Sequence, residues 1–300
     1  MSVFDRLIVT TLPLVPKFIV GKVASRYVAG ETLDTATAAI RALNAEGSSC
    51  TVDVLGEEIA ERTAADAAVQ QYLELLERLR REQLDTGVSV KPTQLGLGLD
   101  EDFCRENCDR LMEKAAEQGC FLRLDMEDRH ATDGTIRIYQ HLHDRYGSGV
   151  GIVFQAYMRR TLQDIAELPK EGVNVRLCKG IYIEPREVAW KLYESVRANY
   201  LAALEKLFRQ GVFVGIATHD EYLLCGAVAL IDRLGVPKEQ YEFQMLLGVE
   251  ETLRRILVAE GHPMRVYVPF GADWYAYSIR RLRENPKIAG HVARAFLSRG

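Results

Sequence analysis

Three hundred residues, 48% of them hydrophobic, can bury a large core, enough for two ordinary domains or one barrel-sized domain. A formal net charge of -4 and a pI near 6.0 give no general reason to expect nucleic acid as a partner. The six cysteines, Cys50, Cys104, Cys108, Cys120, Cys178 and Cys225, show no CxxC spacing and follow no cleavable signal, which points to reduced thiols in a cytoplasmic setting.

The opening segment, LIVTTLPLVPKFIVGKVASRYVAG, is apolar but broken by Pro13, Pro16 and Lys17, and is too short to span a bilayer. It reads as a helical arm, residues 1–47, that docks on the core or rests on a membrane surface. From Thr32 to Glu46 the apolar positions Leu33, Ala36, Ile40 and Leu43 recur at helical spacing, and Gly47 closes the run.

Short β-branched runs then alternate with longer amphipathic segments. Strands are predicted at Cys50–Leu55, Val88–Lys91, Phe121–Asp125, Gly151–Ala156, Val173–Lys179, Val212–Ala217, Glu242–Leu247 and Arg265–Pro269. Helices are predicted near 57–82, 100–118, 133–145, 159–168, 186–209, 220–234 and 249–260. Eight strand-then-helix units predict an α/β chain with a (β/α)8 TIM-type barrel over residues 48–300, rather than an open doubly wound sheet. Cys104 and Cys108 lie four apart on a predicted helix, but no companion ligand pair is near, and no HExxH, GxSxG or GxxxxGK[ST] occurs. No metal site is expected.

A barrel of this kind places its active site at the carboxyl ends of the strands. Those ends are unusually polar: Lys91, Asp125 in RLDMED, Gln155 in FQAY, Arg176 and Lys179 in VRLCKGIY, Thr218 and His219 in ATHD, Gln244 in FQMLLG, and Tyr267 in VYVPFG. Charged groups facing a barrel mouth are costly unless paired, and Lys91 with Asp125 from the adjacent strand is the expected pair. Gly180 after Lys179 is placed to let a bulky ligand approach the backbone.

The chain then reaches YAYSIRRLRENP. At helical pitch Arg280, Arg281, Glu284 and Tyr277 share an arc of roughly 100°, with Tyr275, Ile279 and Leu282 opposite. Two adjacent guanidinium groups steadied by a carboxylate suit a bound carboxylate or phosphate, or a salt-bridged helix end. Composition and spacing thus describe a barrel whose mouth is rich in cations and takes an anionic small molecule. They leave the reaction open: a Schiff-base aldolase using Lys179 and a barrel that only binds an anion fit as well.

The blocks VDVLGEE, RLDMED, FQAYMRR, RLCKGIYIE, ATHD, FQMLLG and YSIRRLRENP, in that order over nearly the whole length, resemble the proline dehydrogenase family, in particular its short monofunctional bacterial members. The resemblance implies a distorted barrel with extra N-terminal helices, FAD at the strand ends and the last helix over the mouth. It implies oxidation of L-proline to 1-pyrroline-5-carboxylate, the first step of proline catabolism to glutamate, with hydride passing from C5 to flavin N5 and electrons passing on to a membrane quinone. Arg280 and Arg281 would clamp the substrate carboxylate with Glu284 in support, and Lys91 would contact that carboxylate or the acid beside it. Asp125 would lie near the reacting ring, and Tyr267, Tyr277 and Leu246 would wall it. Arg176 would sit near N5 and Gln155 would face the isoalloxazine, with Met126, Lys179, Gly180, Ile181, Thr218, His219 and Gln244 lining the cofactor. A separate 1-pyrroline-5-carboxylate dehydrogenase would act next, and the opening arm would give peripheral contact with the inner face of the membrane. Cys178 and Ile183 depart from the family's apolar residue and from the tryptophan of some members, whereas Tyr267 favours proline over hydroxyproline.

Overall fold

The computed structural model describes residue 21 and residues 24–56, 59–169, 171–275 and 277–279. Most of the opening segment lies outside the described residues, as do Arg280, Arg281 and Glu284.

Eight parallel strands close into a barrel in sequential order. They are β1 (Ser49–Val54), β2 (Thr86–Val90), β3 (Leu122–Leu124), β4 (Val150–Gln155), β5 (Asn174–Cys178), β6 (Phe213–Ala217), β7 (Tyr241–Leu246) and β8 (Met264–Phe270). Every predicted strand is present with its ends within two residues. β8 pairs with β1 from Arg265 beside Ser49 to Phe270 beside Val54, so no edge is left open. Around the barrel run α1 (Leu33–Ala45), α2 (Arg62–Glu82), α3 (Glu101–Glu117), α4 (Arg129–Tyr146), α5 (Thr161–Ala166), α6 (Tyr193–Arg209), α7 (Glu221–Leu234) and α8 (Glu251–Ala259).

The period of two divides each strand between two environments. Val52, Val90, Leu124, Ile152, Val175, Val214 and Phe243 are fully buried in the main apolar core. Burying each such side chain contributes about 1.5–3 kcal/mol. The alternate positions carry polar groups: Asp53 pairs in register with Ser89, Ser89 with Arg123, and Gln244 with Arg265. This interior departs from the branched apolar filling usual in such barrels, and most of its buried polar groups bond one another. Arg123 donates to Ile152 O at 3.0 Å and Asn174 Oδ1 at 2.5 Å, and Arg265 donates to Glu242 Oε1 at 2.7 Å. Gly215 makes room for Gln244, because a Cβ there would stand 2.3 Å from its Nε2.

Local signals set the helix ends. Asp128 caps α4, accepting from His130 N at 2.9 Å and Ala131 N at 3.2 Å, and so starts that helix at Arg129, ahead of the expected 133. α6 starts at Tyr193 rather than 186, because the chain before it pairs elsewhere: Arg159 N donates to Val188 O at 2.9 Å and Trp190 N to Tyr157 O at 2.8 Å. α2 begins at Arg62 rather than 57. The segment before α1 straps the end of β8, with Ala29 N bonded to Pro269 O and Gly271 N to Gly30 O.

Cys104 and Cys108 are both buried on α3, and Cys104 Sγ donates to Pro92 O at 3.3 Å. Among the described residues no group of three or more His, Cys, Asp or Glu is placed to hold a metal, and no helix is long and apolar enough to cross a membrane.

Candidate active site

Arg176, on the inward face of β5, reaches across the barrel in three directions. Its Nε donates to Gln244 Oε1 at 2.6 Å, and its Nη1 donates to Asp125 Oδ1 at 2.8 Å and Ser89 Oγ at 3.2 Å. Its guanidinium carbon stands 5.3 Å from the centre of the Tyr267 ring. Its Nη2 is buried and has no hydrogen-bond partner among the described residues. An unsatisfied donor on a buried charged group is expensive, so this atom marks where an acceptor from outside the chain fits.

Asp125 follows β3 and receives Ser89 Oγ at 2.6 Å as well as Arg176. The Tyr267 hydroxyl faces two carboxylates, Asp53 Oδ2 at 2.8 Å and Asp125 Oδ2 at 3.2 Å. Burial, then the charges of Asp125 and Asp53, raise the Tyr267 phenol well above its ordinary value, so it serves as a hydrogen-bond donor.

The expected Lys91–Asp125 pair does not form. Lys91 Nζ bonds Asp53 Oδ2 at 2.6 Å, while Asp125 is taken by Arg176 from β5. Lys91 lies just beyond β2, whose neighbour β1 carries Asp53 on the same inward face. Burial lowers the Lys91 ammonium, but Asp53 and Asp125 outweigh it and the net shift is upward. Asp53 and Ser89 are not among the sequence candidates. Their only signal is a polar residue between valines, VDV and VSV, which places each on the inward face of its strand.

Lys91 opens onto a cavity of about 340 Å³ walled also by Thr93, Glu127, Asp128, His130 and Tyr182. Glu127 accepts from Thr93 N at 2.9 Å and Thr93 Oγ1 at 2.5 Å; burial raises its carboxyl, and these bonds only partly counter that. Gln155 is buried at the end of β4 and donates to Glu127 O at 2.8 Å, and Met126, which precedes Glu127 in the chain, is also buried.

A second group of candidates gathers beyond β5 and β6. Lys179 Nζ lies 3.3 Å from Asp220 Oδ2, and Arg197 grips the same carboxylate at 2.9 Å and 2.6 Å. Thr218 Oγ1 accepts from Asp220 N at 3.1 Å, and His219 Nε2 accepts from Leu246 N at 2.9 Å, which fixes the neutral ring's proton on Nδ1. Gly180 has φ +103°, and a Cβ there would sit 2.1 Å from the Tyr157 ring. The glycine thus answers to Tyr157 as much as to any ligand. Ile181 is half-exposed and Ile183 fully exposed, and Cys178 Sγ lies 3.6 Å from Phe154 O. Tyr277 is buried against Val28 and Leu55.

The fold therefore joins Lys91, Asp125, Arg176, Gln244 and Tyr267 in one network and joins Lys179 to Thr218 through Asp220. A buried guanidinium with a spare donor is an arrangement for an anionic or electron-rich ligand. Residues 36–294 match the family model described as proline dehydrogenase. The chain belongs to the proline dehydrogenase family.

The proline dehydrogenase of Deinococcus radiodurans is 36% identical over 278 residues, spanning 91% of this chain and 90% of that protein. Proline dehydrogenase 2 of Bacillus subtilis is 34% identical over 91% of this chain and 89% of its own length. Among solved structures, proline utilization A from Bdellovibrio bacteriovorus inactivated by N-propargylglycine superposes with a TM-score of 0.82 at 26% identity, over 88% of this chain and 33% of that one. Proline utilization A from Corynebacterium freiburgense, at 22% identity and TM-score 0.76, supports the barrel fold over 98% of this chain and 35% of its own. Membership makes the chain an oxidoreductase of proline catabolism, and the family implies a flavin cofactor.

Proposed function

We propose that the protein oxidises L-proline to 1-pyrroline-5-carboxylate with FAD as its flavin, and passes the electrons to a membrane quinone. The observation that carries the flavin site is Arg176, whose buried Nη2 lacks an acceptor among the described residues while its other nitrogens are fixed by Gln244, Ser89 and Asp125. The chemistry FAD supplies when bound is acceptance of the hydride that leaves C5 of proline.

The residues that would hold it fit that use. Arg176 presents a fixed cation to the electron-rich part of the ring system, and Gln155, Met126 and Gln244 wall it. Lys179, Gly180, Ile181, Thr218 and His219 form the outer side. On the substrate side, Lys91 supplies an ammonium for the carboxylate, and Tyr267 and Leu246 bound the ring. Asp53 and Asp125 balance Lys91 and Arg176, so an entering carboxylate needs further cations. We assign that role to Arg280 and Arg281, with Glu284 supporting them and Tyr277 beside them, on the sequence pattern alone. The apolar opening segment of the 1–47 arm is read as the part that brings the barrel to the inner membrane face, with the product left to a separate dehydrogenase.

The aldolase reading is less well supported: Lys179 is ion-paired with Asp220, and its side chain is 31% exposed, whereas a Schiff-base amine is activated by desolvation or a second cation. Anaerobic titration of the purified holoprotein with L-proline, followed by flavin absorbance, tests the proposal. Bleaching is the expected outcome. A colourless protein that binds no FAD, or a yellow one that proline leaves unchanged, overturns it.

A further inference from the structure

Asp53 is fully buried next to the carboxyl end of β1, and its carboxylate gathers three side chains from three different elements. Its Oδ2 accepts from Lys91 Nζ at 2.6 Å and from the Tyr267 hydroxyl at 2.8 Å, and its Oδ1 accepts from the Tyr72 hydroxyl at 3.1 Å. Tyr72 is itself completely buried on α2, with its hydroxyl also 3.4 Å from Val54 O and 3.3 Å from Gln94 Oε1. The carboxylate is thus held from behind by the helix layer and from the side by β8. Its third partner is the lysine, which lines the 340 Å³ cavity with a side chain 13% exposed.

We propose that Asp53 is a positioning residue for substrate binding: it holds the Lys91 ammonium beside the Tyr267 hydroxyl, both on the same carboxylate oxygen, where that ammonium takes up the substrate's carboxylate. The inference rests on the proline dehydrogenase reading of the site and adds to it a residue that touches no ligand. A largely buried ammonium stays charged only with a fixed anion beside it. The titratable groups facing Lys91 are Asp53 from β1, Asp125 and Glu127 from the end of β3, and Asp128, His130 and Tyr182 across the cavity. Asp125 is occupied by Arg176 and Ser89, and Glu127 by Thr93. Asp53 is therefore the carboxylate in direct contact with the ammonium.

The test uses cyclopentanecarboxylate, which has the ring and carboxylate of proline but no amine to titrate or oxidise. Its binding to the FAD-loaded protein is read from the change in flavin absorbance as pH rises from neutral through the ordinary lysine value of about 10.4. Wild type is expected to hold the anion across neutral and mildly alkaline pH. Asp53→Asn is expected to bind about tenfold or more weaker, with its alkaline loss of affinity moved to lower pH and its FAD content unchanged. Lys91→Met is expected to bind weakly, without that alkaline limb.

The decisive comparison adds Asp53→Asn to the Lys91→Met protein, where the double variant also removes the unpaired buried charge that would threaten folding of Asp53→Asn alone. In that background Asp53→Asn is expected to leave anion affinity unchanged. An equal loss in the wild-type and Lys91→Met backgrounds, or an Asp53→Asn alkaline limb identical to wild type, overturns the proposal. Failure of the underlying reading is separate, because it appears as wild-type holoprotein that proline does not bleach.

Discussion

Arg176 Nη1 lies 2.8 Å from Asp125 Oδ1, a bond that crosses the barrel from β5 to the end of β3. Both side chains are largely buried, at 8% and 15% exposure, and Ser89 binds to each. Removing one partner of such a pair strands the other. Arg176→Met is expected to cost about 3–5 kcal/mol of stability and to abolish flavin retention. Arg176→Met with Asp125→Asn should recover most of the stability but not the flavin. Urea denaturation and the flavin-to-protein absorbance ratio read the two effects separately.

Gly215 supports the same arginine indirectly. A methyl group there would meet Gln244 Nε2, and Gln244 Oε1 is the acceptor for Arg176 Nε at 2.6 Å. Gly215→Ala is expected to cost about 1–3 kcal/mol through overpacking and to weaken flavin binding, since the displaced amide releases the guanidinium. Adding Gln244→Ala should restore the thermal midpoint while leaving flavin binding impaired. A double variant as unstable as the single one would show that the clash lies elsewhere.

Asp220 gives a pH dependence. Burial alone would raise its carboxyl, but Arg197, Tyr193 and Lys179 outweigh burial and hold it well below the ordinary carboxylate range. A carboxyl depressed in the folded chain contributes stability that is complete above its unfolded value of about 3.9 and is lost as pH falls through the folded value. Asp220→Asn should therefore be less stable than wild type at neutral pH, with the gap closing below about pH 4. Denaturation midpoints measured across that range check it, and a gap independent of pH would contradict the assignment.

The cationic pair in YSIRRLRENP yields a kinetic prediction from sequence. Arg281→Met should raise KM for proline far more than it changes flavin content, because one charge-assisted bond to a ligand is worth about 1.5–3 kcal/mol, roughly 10- to 100-fold. Flavin loss with an unchanged KM would remove Arg281 from the carboxylate clamp.

The eight strands are legible because each alternates buried apolar residues, mostly valine, isoleucine or leucine and in β7 Tyr241, Phe243 and Met245, with a second residue type, and because caps such as Asp128 punctuate the helices. The strand-end candidates are legible for the same reason: in this fold the end of a strand is the place for chemistry. The stretch 186–192 reads as helix because its composition is compatible with one, while its Val188 carbonyl and Trp190 amide are bonded to Arg159 and Tyr157, a pairing that local periodicity does not encode.

By itself, the sequence determined the barrel, the inward placement of its polar residues and the gathering of Lys91, Asp125, Gln155, Arg176, Gln244 and Tyr267 at one end. Only the tertiary structure decided who pairs with whom. Lys91 and Asp125 look like partners because their strands are adjacent, yet closure of the barrel sets Tyr267 beside Asp53, 214 residues away, and lets Arg176 reach Asp125 from 51 residues away. Charge pairing falls off with distance and not with sequence separation, so the choice between two acids for one lysine was fixed by strand register and barrel curvature.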